Sequence, residues 1–253
     1  MQQFHSNDAG KAQKEEEFSS SRRKMLLGGA AGVAGIAGLT LAGQHAFASP
    51  IDGPSCVTPI ADILTIARTA ERLAVTFYTH GLYHADEMGI HGDDLAYLRA
   101  ALIEEQIHEH FFAANGGGIL ASEFSFPDGP DTFTSVHRFI ATQQQLEGVF
   151  DSAFLSAVRE FAMQSRPDLA QIAAQVACIE AEHRALGRSI AGLIPADNWA
   201  FTPVLIGKVG DAPALVKKAG YLSPKKGNSY TYHQVSTEHG GVVYRTPFAA
   251  ACS

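Results

Sequence analysis

The chain has no surplus of basic residues and no long, strongly apolar run. Of its 253 residues, 19 are Lys or Arg and 26 are Asp or Glu, a formal net charge of -7. No basic patch stands out, so nucleic acid is not an expected partner. Cysteine is scarce. There are three, an odd number, so they cannot all pair within one chain. No low-complexity tract follows the N-terminal segment. What remains is the composition of a soluble globular protein, 46% apolar and 18% charged. The length suits one substantial domain, or a smaller one with tails.

The first 48 residues are set apart from the fold. Residues 1 to 20 are polar and lack periodicity. Ser21-Arg22-Arg23-Lys24-Met25-Leu26 follows, then a mildly apolar, Gly/Ala-rich run from Leu26 to Ala42. Ala46-Phe47-Ala48 fits a small-x-small cleavage site. The segment resembles a twin-arginine export signal. A retained membrane anchor is the competing reading, but the glycines make the run a weak span. No lipobox cysteine lies near it. The expectation is a periplasmic or secreted protein, cleaved near Ala48, that meets a membrane only transiently during export. Removing the leader takes away five basic and four acidic residues, leaving 14 and 22, a charge of about -8. Cys178 lies in an apolar helical run and reads as a buried thiol. Cys56 and Cys252 lie near the two mature termini, and a bridge between them stays open at this stage.

Four helices are expected in the mature chain. The first runs from about Ile60 to Thr79, with Ile63, Ile66, Leu73 and Phe77 at helical spacing. His80 to Gly92 reads as a loop. The second starts near Asp93 or Asp94, carries Leu95, Leu98, Leu102, Ile107 and Phe111, and ends at Asn115-Gly116-Gly117-Gly118. Residues 116 to 132 form a Gly/Pro/Ser-punctuated crossover, long for a link between antiparallel neighbours. The third helix, with a short one before it, occupies Thr132 to Met163. Ser165-Arg166-Pro167-Asp168 turns into the fourth, which runs through Leu169 to Ile190 and ends near Gly192. Asn198 to Val216 is mixed and wraps the bundle, with a short helix at Ala212 to Lys218. Ser229 to Thr246 alternates like a β-hairpin around Glu238-His239-Gly240-Gly241. The expected organisation is a leader at 1–48, an all-α four-helix bundle at 58–192 with a long crossover between helices two and three, and an irregular wrapping tail at 193–253.

Each helix carries a central carboxylate, in the order Glu71, Glu105-x-x-His108, Glu147, Glu180-x-x-His183. A Glu and a His three apart lie on one helix face, one turn above the other. Ile172, Val176 and Ile179 share that face in the fourth helix, which aims the carboxylate and imidazole at a core. Burying an unpaired carboxylate is strongly unfavourable. The spacing repeats, with 34 positions from Glu71 to Glu105 and 33 from Glu147 to Glu180. Each half is one helical hairpin with the same ligand pattern, the set known for di-iron and di-manganese carboxylate bundles. Two divalent cations balance four glutamates. Oxygen-rich ligation with one imidazole per metal suits iron or manganese better than a thiolate-seeking metal. A lone Glu-x-x-His arises often by chance; two, each paired with a mid-helix Glu, do not.

The neighbours are assigned more plainly. Glu104, Glu109 and Glu182 fall on the solvated face, although Glu104 is an alternative to Glu105 as the partner of His108. Asp151, one turn after Glu147, is either a surface residue or a partner for the free N–H of a ligand histidine. Tyr78, two turns from Glu71, reads as core packing, with a role supporting a ligand as the alternative. His80, His84, His91 and His110 read as loop or surface residues. His233 and His239 show no site spacing.

These residues resemble the ferritin-like superfamily, and more closely the secreted ferritin-like proteins grouped with plant desiccation-related proteins. The resemblance rests on Leu146-Glu147-Gly148-Val149-Phe150-Asp151-Ser152-Ala153, on Ile179-Glu180-Ala181-Glu182-His183-Arg184, on Ala70-Glu71 with Phe77-Tyr78, on the Phe124 to Pro130 crossover and on Pro195 to Leu215. It covers about residues 58 to 218. It implies a four-helix bundle with a di-metal centre at Glu71, Glu105, His108, Glu147, Glu180 and His183. Nothing in the sequence marks a ferritin cage, so iron storage is not expected.

Three functional expectations follow. One is a redox protein whose two iron or manganese ions act on ferrous iron, oxygen or peroxide in stress protection, with a small-molecule oxidant as its partner and a homo-oligomer allowed. A second is a non-catalytic metal-binding or structural envelope protein. A metal-free interaction module that uses the tail hairpin is a third. No catalytic residue beyond the metal set is assigned.

Overall fold

The computed structural model describes residues 57–238, 241–243 and 247. The leader, Cys56, Cys252 and the His239-Gly240 turn fall outside these residues. Six α-helices form among those described: α1 (Ile60–Tyr83), α2 (Ala85–Met88), α3 (Gly92–Ala114), α4 (Val136–Met163), α5 (Pro167–Ile190) and α6 (Ala212–Lys218). None is long and apolar enough to cross a membrane.

The protein is a four-helix bundle of α1, α3, α4 and α5, built as two hairpins, α1 with α3 and α4 with α5. The start of α1 follows Pro59, whose carbonyl accepts from Asp62 and Ile63. Asp62 adds negative charge to the first turn, where the helix dipole favours it. Asp93 and Asp94 do the same for α3. Ser135 caps α4 by accepting from the Arg138 amide, and Pro167 opens α5. The first helix runs four residues past its expected end, through His80 to Tyr83, and the expected loop to Gly92 holds the short helix α2. The apolar period continues there: Gly81, Ala85 and Met88 are all buried.

The crossover is long because it must climb the bundle. It leaves α3 where Arg68, near the start of α1, donates to the Gly117 carbonyl at 2.8 Å. It arrives at the other end, where Phe133 packs beside Phe77 and Phe139. Gly117 lies so close to α1 that a Cβ would sit 2.7 Å from the Leu64 carbonyl oxygen. A 3-10 turn at Gly129–Phe133 precedes α4.

After α5 the chain runs back along α4. Ser152 Oγ accepts from the Leu205 and Ile206 amides, and Ser156 Oγ donates to the Ile206 carbonyl. Glu160, fully buried, then clasps two distant segments. Its carboxylate accepts from the Thr58 amide at 2.8 Å and the Val209 amide at 2.9 Å. The tail differs from the expected hairpin. Strand β2 (Tyr230–Thr231) pairs antiparallel with β1 (Glu123–Phe124) of the crossover, and a tight turn forms at Lys225 and Asn228. Val242 and Val243 are not in a strand. Buried Phe126 supplies the reason. Asn228 clamps it through both backbone groups and Tyr230 packs on its ring, which gives this part of the tail a core partner that a free-standing hairpin would lack.

Candidate metal centre

Glu71 comes from α1, Glu105 and His108 from α3, Glu147 from α4, Glu180 and His183 from α5. The bundle brings all six to its centre. Their donor atoms form two overlapping sets, Glu71–Glu105–His108–Glu180 and Glu105–Glu147–Glu180–His183, with every atom of a set within 4.8 Å of the others. Glu105 and Glu180 belong to both. Glu105 turns Oε2 toward His108 Nδ1 (3.6 Å) and Oε1 toward His183 Nδ1 (3.0 Å). Glu180 likewise offers Oε1 to His108 (3.7 Å) and Oε2 to His183 (3.5 Å). Glu71 lies 3.7 Å from His108 Nδ1, and Glu147 lies 3.9 Å from His183 Nδ1. Two shared carboxylates thus lie between two terminal Glu/His pairs.

The four glutamates are buried. Both oxygens of Glu71, Glu105 and Glu180, Oε2 of Glu147 and Nδ1 of both histidines make no hydrogen bond. Even the 3.0 Å approach of His183 Nδ1 to Glu105 lacks hydrogen-bond alignment. Buried acceptors left without partners are costly, and a bound cation would satisfy those gathered here. Without a cation, protons offset part of this charge, on Glu71 and Glu147 but not on Glu105. Burial, together with the charges of Glu105 and Glu180, pushes the Glu71 carboxyl well above the usual range. Burial and the Glu180 charge do the same to Glu147. Burial raises Glu105 too, but contacts with His108 and His183 outweigh it, and its carboxyl is held low. The donor set fits metal ions: oxygen-rich, one imidazole on each side, both imidazoles facing inward by the same nitrogen.

The surroundings are less symmetric. Tyr78 does more than pack: its hydroxyl donates to Glu147 Oε1 and accepts from Gln143 Nε2 at 2.9 Å. The same Gln143 amide donates to the His183 carbonyl at 2.8 Å. Gly187 leaves room for Gln143, since a Cβ there would meet its Oε1 at 1.6 Å. Glu104 is half-buried rather than fully solvated, and it is not the partner of His108. It reaches across to α5, with Oε2 2.8 Å from His183 Nε2. This contact fixes the ring and leaves Nδ1 facing the cluster.

Other expectations are corrected as well. Asp151 is buried rather than on the surface, and it bonds neither histidine; its Oδ2 has no partner. Burial, with the Glu180 charge, pushes its carboxyl up to about 7. Glu109 is buried because Arg68 and Arg72 both donate to its Oε1, at 2.9 and 2.8 Å. Two arginines one turn apart on the first helix were the available signal. Cys178 is exposed, not buried, because it lies off the face that α5 turns to the core. Glu182 is exposed, as expected. His80 is half-buried in α1 against Tyr230. An apolar slot between α1 and α4, lined by Ile66, Ala70, Phe150 and Ala153, touches none of the six donors.

A family model described as a ferritin-like domain matches residues 60–193, more than half of the chain. This chain belongs to the ferritin-like family. Comparison with curated proteins and with solved structures returned no match. The buried carboxylate and histidine cluster of this ferritin-like bundle is compatible with a di-metal site.

Proposed function

We propose that the protein is an exported ferritin-like oxidoreductase that holds two iron or manganese ions and acts on ferrous iron, oxygen or peroxide in stress protection. The observation that carries this reading is the pair of overlapping donor sets sharing Glu105 and Glu180. Two divalent cations there would neutralise four buried carboxylates and supply electron transfer to and from a small oxidant. The chain's own part is positional. Glu71 and His108 would hold one ion, Glu147 and His183 the other, with Glu105 and Glu180 between them. Tyr78 steadies Glu147, and Glu104 sets the His183 tautomer. The four packed helices bury all of the six but His108. The Arg22-Arg23 leader supports twin-arginine export, a route for folded proteins, so that metal loaded in the cytoplasm would travel with the protein into the periplasm or beyond.

The deciding experiment is metal analysis of residues 49–253 purified from the periplasm, followed by assays of ferrous oxidation and peroxide consumption. The expected result is near two iron or manganese ions per chain and turnover above buffer, with Glu180→Ala/His183→Ala losing both. A protein that binds two metals but neither oxidises ferrous iron nor consumes peroxide supports the non-catalytic alternative, which the burial of all but His108 favours. A stable helical protein that refuses both metals would sink the metal reading.

A further inference from the structure

The pseudo-two-fold repeat stops at the six donors. Around them the chain treats the two halves differently. The half with Glu147 and His183 is fastened from outside at each terminal ligand. The His183 side chain is 1% exposed, and its Nε2 is tied to Glu104. Glu147 Oε1 accepts from Tyr78, which Gln143 holds, and Gln143 also grips the His183 backbone. The half with Glu71 and His108 has no such frame. Both Glu71 oxygens are unpartnered. The His108 side chain is 13% exposed, and among the described residues no side chain bonds its ring from the outer side. A ligand already held in place loses less freedom on binding, and outer partners of a metal-bound histidine are worth about 10–100-fold in affinity.

We propose that the two half-sites are unequal: the inner one, with Glu147 and His183, takes its cation first and retains it, whereas the outer one, with Glu71 and His108, exchanges its cation and is where a small anion reaches the centre. This deepens the di-metal reading and rests on it. The sequence repeat, with its matched offsets, gives no hint of the inequality. It arises from Glu104 and Tyr78, for which the repeat has no counterparts: Ile179 precedes Glu180 where Glu104 precedes Glu105, and Phe154 follows Glu147 by the seven positions that separate Glu71 from Tyr78.

Cobalt(II) titration of the metal-free full chain, followed by visible absorption and calorimetry, tests the proposal. Two steps are expected, separated by about tenfold or more in affinity. Glu104→Ala should weaken the first step about 10–100-fold and leave the second alone. Glu104→Gln keeps an acceptor for His183 Nε2 and should restore much of the loss. His108→Ala should delete the second step and leave one cobalt with the first-step spectrum. Azide should perturb the two-cobalt spectrum but not the one-cobalt spectrum. Glu104 is partly exposed, so far-UV circular dichroism should show that its variants keep the bundle. Two cobalt ions taken up in one step of equal affinity, or a first step lost in His108→Ala and kept in His183→Ala, would overturn the inequality while leaving a di-metal site standing. No cobalt uptake by the wild-type chain would sink the di-metal reading and this proposal with it.

Discussion

At the scale of single residues, the helical period decided what could be read. Glu71, Glu105, Glu147 and Glu180 sit amid apolar residues of their own helices, so burial follows from sequence alone. Glu104, Glu109 and Asp151 are buried or tied down by what a neighbouring helix places opposite them: His183, the Arg68/Arg72 pair and the α5 face near Arg184. No single-helix pattern carries that information. Cys178 was misread for a related reason. Its helix is rich in alanine, which marks neither face strongly, and the buried face runs through Ala173, Ala177 and Glu180 instead. Asp151 yields a prediction about pH. Its carboxyl sits near 7 in the fold against an ordinary value of 3.8. Between those values the native state holds a proton that the unfolded chain has released. Stability from this group is therefore full below pH 3.8 and is lost as pH rises toward 7. In the metal-free protein, Asp151→Asn should remove this part of the slope. Urea midpoints at pH 4 and pH 7.5 should show the variant gaining on wild type by on the order of 2 kcal/mol at the higher pH. An unchanged difference between the two would refute the assignment.

Elements were legible where they carry a period and a stop signal. The four bundle helices and the Ala212–Lys218 helix fall into this class. The tail was not, because its strand pairs with a segment more than a hundred positions upstream. Alternation can announce a strand but cannot name its partner. The tail is also fastened to α3. Buried Gln106 accepts from the Tyr232 hydroxyl at 3.1 Å and the Val235 amide at 3.0 Å, and Arg72 lies over the Tyr232 ring at 4.5 Å. Gln106→Met should release this stretch while the bundle persists. Hydrogen exchange at the Val235 amide should accelerate about tenfold, the worth of one ordinary hydrogen bond. Exchange in the middles of α4 and α5 should barely change. Equal acceleration everywhere would mean that Gln106 supports the bundle itself.

For the molecule as a whole, the repeated offsets pointed to a bundle and to six residues that the fold gathers at its centre, and the family match agrees with that fold over residues 60–193. The clasp at Glu160 shows that kinship and autonomy are different boundaries. That carboxylate sits on α4, inside the matched stretch, yet both of its backbone donors, Thr58 and Val209, lie outside it. A piece trimmed to 60–193 would keep a buried carboxyl and discard its two backbone donors, and would also uncover the surface that Val209, Ala212, Val216 and Tyr221 close. Residues 57–238 should melt cooperatively with a structured near-ultraviolet spectrum, and residues 60–193 should not. Whoever transplants this bundle into another protein must therefore carry along two flanks that the matched stretch does not reach.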